Sequence, residues 1–219
     1  MAVAEPSLVL ERRLLREHTH VIALDEVGRG ALAGPVAVGA TVVDAAAARR
    51  RVPQGLRDSK LVPEKRRPEV AARAGAWAPA SAVGWASNAE IDDVGIMRAL
   101  GLAASRAIIA ACGDVWDPAA GLVILDGNHD YVSAVHPGAL TVRSIVKADR
   151  DCASVSAASV LAKVARDALM VQLAGEFPDY QWERNKGYAS IEHRDAIRRG
   201  GLTRHHRSSW AIADAPTLF

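Results

Sequence analysis

Cysteine is nearly absent: only Cys112 and Cys152 occur, far apart and in no CxxC arrangement. That excludes a disulfide scaffold or a zinc ribbon and favours a reducing compartment, read here as the cytoplasm. Aromatic residues are scarce as well, at 5% of the chain. The core must then be built from the abundant Ala and Val, a composition that suits an α/β protein. No apolar run is long enough to span a membrane, and Met1–Leu10 has neither a basic start with a long apolar run nor a small-residue cleavage site, so neither a span nor a signal peptide is expected. No sign of charge dominates, since the formal net charge is +2. Basic residues are nevertheless uneven, with Arg184, Lys186, Arg194, Arg198, Arg199, Arg204 and Arg207 crowded near the C-terminus. Such a face suits a polyanionic partner or is an ordinary solvated helix surface.

With 219 residues the chain can bury a sizeable core, and one domain over 1–219 is the simplest reading. Glu5–Glu17 reads as a short amphipathic helix with no chemistry of its own. His20–Leu24 is an apolar strand running into Asp25, Glu26 and Gly28, and Pro35–Val43 supplies a second strand close enough for a hairpin. A loop over Arg49–Leu56, a helix over Pro63–Arg73 and a strand over Ser81–Ala86 follow. Asn88 is the candidate cap of the next helix, and Ile96–Ala111 is strongly helical until Gly113. Leu122–Leu125 and Leu140–Val146 read as strands, Ser154–Leu173 as the longest helix, and Ile191–Arg199 as a short one stopped by Gly200 and Gly201. The early Ala and Ser residues of the longest helix permit close packing.

Three apolar runs end in acids: VIALDE at Val21–Glu26, VILDG at Val123–Gly127 and SIVKAD at Ser144–Asp149. One strand-end Asp is usually a cap or turn residue, whereas a buried carboxylate needs a partner. If adjacent strands gather Asp25, Glu26, Asp126 and Asp149, their oxygens make a hard, anionic cage suited to Mg²⁺ or Mn²⁺ rather than zinc. Two such ions can drive phosphodiester hydrolysis without a protein nucleophile, and no Ser-His-Asp or Cys-His pattern stands out. The glycines of DEVGRG let the backbone approach a ligand and leave Arg29 free to point at phosphate; alone, they are a turn between strands. His18 with His20 and His205 with His206 lack a matching cysteine set and read as surface histidines.

DEVGRG at Asp25–Gly30, AGP at Ala33–Pro35, DSK at Asp58–Lys60, LDG at Leu125–Gly127, KAD at Lys147–Asp149, SAASVLAKVARD at Ser156–Asp167 and NKGYAS at Asn185–Ser190 together resemble the ribonuclease HII family, in the family's order from His20 to Trp210. The resemblance implies a ribonuclease H-like α/β fold, with a mixed central sheet, flanking helices and a helical C-terminal part of about 176–219 over a substrate groove. Asp25, Glu26, Asp126 and Asp149 match its catalytic, metal-binding carboxylates, which take two divalent ions, Mn²⁺ or Mg²⁺. Its substrates are RNA–DNA hybrids and duplex DNA containing ribonucleotides, cut on the 5′ side of the ribonucleotide to leave a 3′-hydroxyl and a 5′-phosphate.

Gly28, Arg29 and Gly30 match the family's backbone reader of the 2′-hydroxyl, and Tyr188 matches the tyrosine that stacks on the neighbouring deoxyribose. Ser59, Lys60 and Lys163 resemble substrate-contacting positions, and His206 and Arg207 would hold the C-terminal segment near the groove. KAD stands where KGD is commoner, and RDCASVSAAS departs from the family's usual polar run. A monomer is expected, and the end of the chain shows no clear clamp-binding motif. Two other readings remain open: a DNA nuclease of the same broad fold, and a non-catalytic nucleic-acid-binding module. A reader of the 2′-hydroxyl argues against the first, and retention of four acids against the second.

Overall fold

The computed structural model describes residues 5–210; Met1–Ala4, and with them the start of the N-terminal stretch read above, and 211–219, the last part of the expected C-terminal region, lie outside the described residues. Its centre is a five-stranded sheet in the order β3-β2-β1-β4-β5, formed by β1 (His20–Val27), β2 (Val36–Asp44), β3 (Ala80–Ala86), β4 (Leu122–Asp126) and β5 (Val142–Ile145). The expected β1–β2 hairpin is present, β3 adds antiparallel to β2, and β4 and β5 run parallel on the far side of β1. The helices are α1 (Val9–Leu14), α2 (Arg67–Trp77), α3 (Asn88–Val94), α4 (Ile96–Cys112), α5 (Ala148–Asp151), α6 (Ala153–Ala174), α7 (Trp182–Asn185) and α8 (Ile191–Gly200). Among the described residues no helix is long and apolar enough to cross a membrane.

Strand periodicity divides the core. Ile22 and Leu24 of β1 pack with Leu100, Ala103, Ala107 and Ile108 of α4, whereas Val21 and Ala23 pack on the opposite side with Val155 of α6. Buried on both faces, β1, β2 and β4 are almost wholly apolar, as the sequence required. Small residues set the spacing between layers. A Cβ on Gly39 of β2 would stand 2.2 Å from the carbonyl oxygen of Ala158 in α6, and one on Gly84 of β3 would stand 2.0 Å from that of Ala103 in α4. Backbone therefore lies directly on backbone at both crossings; the one on α6 is the close packing anticipated for its Ala/Ser-rich start.

Several boundaries differ from the sequence reading. The first helix is a short piece, Val9–Leu14, and α2 begins only at Arg67 after a 3₁₀ turn over Glu64–Arg66. Ser87, not Asn88, caps α3: its hydroxyl accepts from the Glu90 amide while Glu90 accepts from the Ser87 amide. Asn88 instead donates to the carbonyls of Arg204 and His206. Asp149 does not end a strand; β5 stops at Ile145, Lys147 turns the chain with φ +63°, and Asp149 rides on α5.

Candidate active site

The parallel register pairs Leu24 with Leu125, so the next residues, Asp25 and Asp126, leave adjacent strands at the same level. Alternation turns Asp25 toward α6, where Ser159 hydrogen-bonds its carboxyl, and Glu26 toward the α4 side, where Tyr131 donates to Oε2 at 3.5 Å. The turn through Lys147 brings the amide of Asp149 to Asp126 Oδ1 at 3.2 Å, and the Ser156 hydroxyl fixes the Asp149 carbonyl at 2.6 Å. Two strand ends and one helix thus deliver the four acids to one edge of the sheet.

These acids feel one another. Burial pushes the Asp25 carboxyl well above the usual carboxylate range; the Ser159 hydrogen bond opposes this, and the charges of Glu26, Asp126 and Asp149 add to it. Burial also raises Glu26, against the nearby Arg29 guanidinium and with the charge of Asp126, and raises Asp149, together with Asp126 and Asp58 and against Lys60. Lys60 Nζ stands 3.6 Å from Asp149 Oδ2, and Arg29 Nη1 stands 3.9 Å from Glu26 Oε1. Among the described residues no group of three or more His, Cys, Asp or Glu side chains already stands at metal-holding separation. The donor chemistry nevertheless fits a hard divalent cation: oxygen ligands only, partly desolvated and mutually repelling, a cost that a bound cation would offset.

Beside the acids lies a cleft of about 390 Å³. Asp25, Glu26, Gly28, Arg29, Gly30, Ser59, Lys60, Lys163 and Tyr188 line it, so every substrate-binding position named from the sequence meets two of the acids in one cavity. Asp126 and Asp149 do not line it; Asp149 is joined to it through Lys60, and Asp126 follows through the Asp149 amide. Tyr188 is half-buried rather than a core tyrosine, and its hydroxyl accepts a 3.1 Å hydrogen bond from the Gly28 amide. Lys163 Nζ lies 5.9 Å from the Tyr188 ring centroid and pairs with Asp167 at 2.8 Å. Ser59 is buried and its hydroxyl donates to Ser159 Oγ at 3.0 Å, leaving the Ser159 proton for Asp25, while Lys60 is exposed. Arg29 leans on Glu26 and Met97 rather than standing free.

The turn is held from behind by two buried arginines. Arg166 of α6 donates to the carbonyls of Ala33, Pro35 and Lys186, and Arg207 donates to those of Gly28, Arg29 and Gly34. Burial, with help from Arg166, draws the Arg207 guanidinium down to about 9. The C-terminal basic cluster is therefore not one solvated face, since Lys186 and Arg207 are buried, Arg204 pairs with Glu176, and Arg198 pairs with Asp195. Arg166 and Tyr131 were not identified from sequence; the only available signal for Arg166 was its place one turn after Lys163 in the AKVARD run.

Nor are all the histidines superficial, as the sequence suggested, because His20 and His206 are buried. His193 Nδ1 bonds the Tyr188 carbonyl and so must donate. Its Nε2 then accepts from the Trp182 indole and from His206 Nε2, each at 3.1 Å, while His206 Nδ1 accepts from the Thr203 amide. Both rings are neutral in this arrangement. Burial, then the neighbouring His193, lowers His206 from 6.5 to about 4. The unfolded chain takes up this proton more readily than the folded one, so the stability is complete above pH 6.5 and is lost as pH falls toward 4. The loss amounts to about 3 kcal/mol. Urea unfolding at pH 7.5 and 4.5 is expected to show it, and His206→Gln to reduce the pH dependence; an unchanged dependence would remove His206 as its source.

Carboxylates gathered at the end of a mixed β3-β2-β1-β4-β5 sheet, flanked by α4 and α6, define a ribonuclease H-like protein. Solved structures share the fold: ribonuclease H2 from Pyrococcus horikoshii superposes with a TM-score of 0.71 at 24% identity, covering 89% of this chain and 95% of that one. Bst-RNase HIII in complex with Mn²⁺ gives 0.71 at 21% identity, covering 97% of this chain and 73% of that one. Within that class the chain belongs to the ribonuclease HII family, whose pattern it matches over residues 22–213. Ribonuclease HII of Streptomyces coelicolor is 44% identical over 96% of this chain and 86% of its own length, and that of a Ruegeria species is 44% identical over 94% and 84%. The protein is therefore an enzyme, a nucleic-acid hydrolase of the ribonuclease H type.

Proposed function

We propose that this enzyme cleaves the RNA strand of RNA–DNA hybrids and cuts duplex DNA on the 5′ side of an embedded ribonucleotide, leaving a 3′-hydroxyl and a 5′-phosphate and so serving ribonucleotide removal from DNA. The observation that carries the reading is the shared cleft: Asp25 and Glu26 line the same cavity as the Gly28–Gly30 turn and Tyr188, and the Gly28 amide is bonded to the Tyr188 hydroxyl. A group that recognises ribose thus adjoins the acids that would act on its phosphate.

Asp25, Glu26, Asp126 and Asp149 would hold two Mg²⁺ or Mn²⁺ ions. Those ions supply water activation and neutralisation of charge at the phosphate undergoing in-line displacement. The chain's own residues do the rest. The turn offers the backbone amides of Arg29 and Gly30 to the 2′-hydroxyl, with the Tyr188 hydroxyl held beside them by the Gly28 amide. Tyr188 offers a face on which the neighbouring deoxyribose rests, with Lys163 alongside to meet a phosphate. Lys60, drawn to Asp149, balances the acids and faces the same anionic strand.

The test is a labelled DNA duplex with one ribonucleotide beside an all-DNA duplex, each with Mg²⁺, Mn²⁺ or chelator. A single metal-dependent cut 5′ to the ribonucleotide, with the all-DNA duplex intact, is expected; cutting of both duplexes, or of neither, would overturn the reading. Tyr188→Ala should lower kcat/KM at the embedded ribonucleotide about ten- to hundredfold with little change in Tm, since it removes an aromatic face from a half-buried position. A collapse in Tm with normal turnover in the folded fraction would make Tyr188 a packing residue instead.

A further inference from the structure

Arg207 is fully buried, and its guanidinium reaches the carbonyls of Gly28 at 2.6 Å, Arg29 at 2.8 Å and Gly34 at 3.2 Å. The C=O and N–H of one trans peptide point in opposite directions. Turning the Gly28 and Arg29 carbonyls onto Arg207 therefore turns the amides of Arg29 and Gly30, which share those peptide planes, to the side away from it. A guanidinium can hold several acceptors in a fixed fork, and a lysine ammonium at the end of a flexible stem cannot reproduce that geometry.

Arg207 is itself pinned on both sides to one helix. Before it, Asn88 Nδ2 donates to the carbonyls of Arg204 at 2.9 Å and His206 at 3.0 Å. After it, the Asp92 carboxylate takes four hydrogen bonds, from the amide and hydroxyl of Ser208 at 2.9 Å each and from those of Ser209 at 3.0 and 2.6 Å. Asn88 and Asp92 stand four residues apart on α3 and so share a face. That helix is secured in turn by the Ser87–Glu90 capping box and by the Glu90–Arg106 ion pair to α4. Neither Asn88 nor Asp92 lines the cleft.

We propose that α3 sets the ribose-reading turn through the 203–210 segment, with Arg207 as a positioning residue for ribonucleotide selection and Asn88 and Asp92 as its anchors. The inference rests on the reading of Gly28–Gly30 as the 2′-hydroxyl reader. Its mechanical content is that selectivity depends on a helix outside the cleft.

The experiment compares affinity for the single-ribonucleotide duplex and the all-DNA duplex in chelator, with Tm in parallel, for the unsubstituted protein and for Asp92→Ala, Asp92→Asn, Asn88→Ala and Arg207→Lys. The unsubstituted protein is expected to prefer the ribonucleotide duplex. Asp92→Ala and Arg207→Lys should reduce that preference about tenfold with all-DNA affinity unchanged, and Asp92→Asn, which keeps one acceptor oxygen, should fall between. In metal, the same variants should show the loss in kcat/KM at the embedded ribonucleotide. Variants that melt earlier yet keep the full preference would make the segment a structural tie only and overturn the inference, as would variants that change nothing. Should Arg207→Lys fail to fold, the Asp92 and Asn88 variants decide the matter. No preference in the unsubstituted protein would overturn the reading of the turn along with this inference, whereas a preference that survives in every variant overturns this inference alone.

Discussion

Asp126→Asn is expected to slow cleavage of an embedded ribonucleotide about a thousandfold or more, because it removes a full negative charge from the set proposed to hold the metal ions. Folding should survive the change. The Asp126 contribution to local structure is a hydrogen bond accepted at Oδ1 from the Asp149 amide, and an asparagine oxygen can still accept it. Substrate affinity in chelator should be retained or even increase, since one charge that repels phosphate has gone. Single-turnover cleavage beside a binding titration checks both halves. Normal turnover would remove Asp126 from the ligand set, and loss of binding together with Tm would show that the substitution had damaged the β4–α5 connection instead.

Gly28→Ala has the second large effect. Gly28 sits at φ +84°, a conformation that strains any L side chain, and an added Cβ would stand 2.0 Å from Nε of Arg166. The arginine cannot swing aside cheaply, because it is buried and bonded to three carbonyls. Left-handed strain and overpacking together should cost about 2–4 kcal/mol, a fall in Tm of roughly 5–15 °C. Any relief by shifting the turn would carry the Gly28 amide off the Tyr188 hydroxyl, so kcat/KM at a ribonucleotide should drop about a hundredfold in the folded fraction. Thermal melting, with kinetics taken well below the variant's midpoint, tests this. Near-normal values of both would show that the turn tolerates rearrangement and that its geometry is not what selects ribose.

Strands and long helices were legible because their patterns follow from burial. β1, β2 and β4 are sealed on both faces, so their sequences are nearly continuous apolar runs, while α4 is rich in strong helix formers and α6 carries a helical pattern over many turns. The four acids were legible for the opposite reason, as charges where the pattern forbids them. What stayed hidden was whatever depends on distant partners. Arg166 looks like a surface arginine until the fold wraps carbonyls from residues 33, 35 and 186 around it, and Arg207, expected from the resemblance to hold the C-terminal segment near the groove, gives no sign in sequence that its partners are the carbonyls of Gly28, Arg29 and Gly34. His206 looks like one of a superficial pair until His193 and Thr203 enclose it. Tyr131 gave no signal, since its relation to Glu26 spans 105 positions of chain. The cap of α3 was misjudged by one residue because Ser87 and Asn88 are both good capping types, and only the bond between Ser87 and Glu90 decides between them.

Gly39 sits directly opposite Asp25 in the β1–β2 ladder, at the level where the carbonyl of Ala158 touches the strand. Ser159, the next residue along α6, is the one that bonds Asp25, and Lys163 and Arg166 follow about one and two turns later. The missing methyl group at Gly39 therefore acts as a shim removed from the back wall: it lets α6 settle deep enough for Ser159 to meet the acid, for Lys163 to reach the cleft and for Arg166 to brace the turn from behind. The depth of the cleft is thus governed from the neighbouring strand, by a buried residue that does not line it. A side chain there would force α6 outward and draw Ser159 away from Asp25, so this position bears on the acid itself.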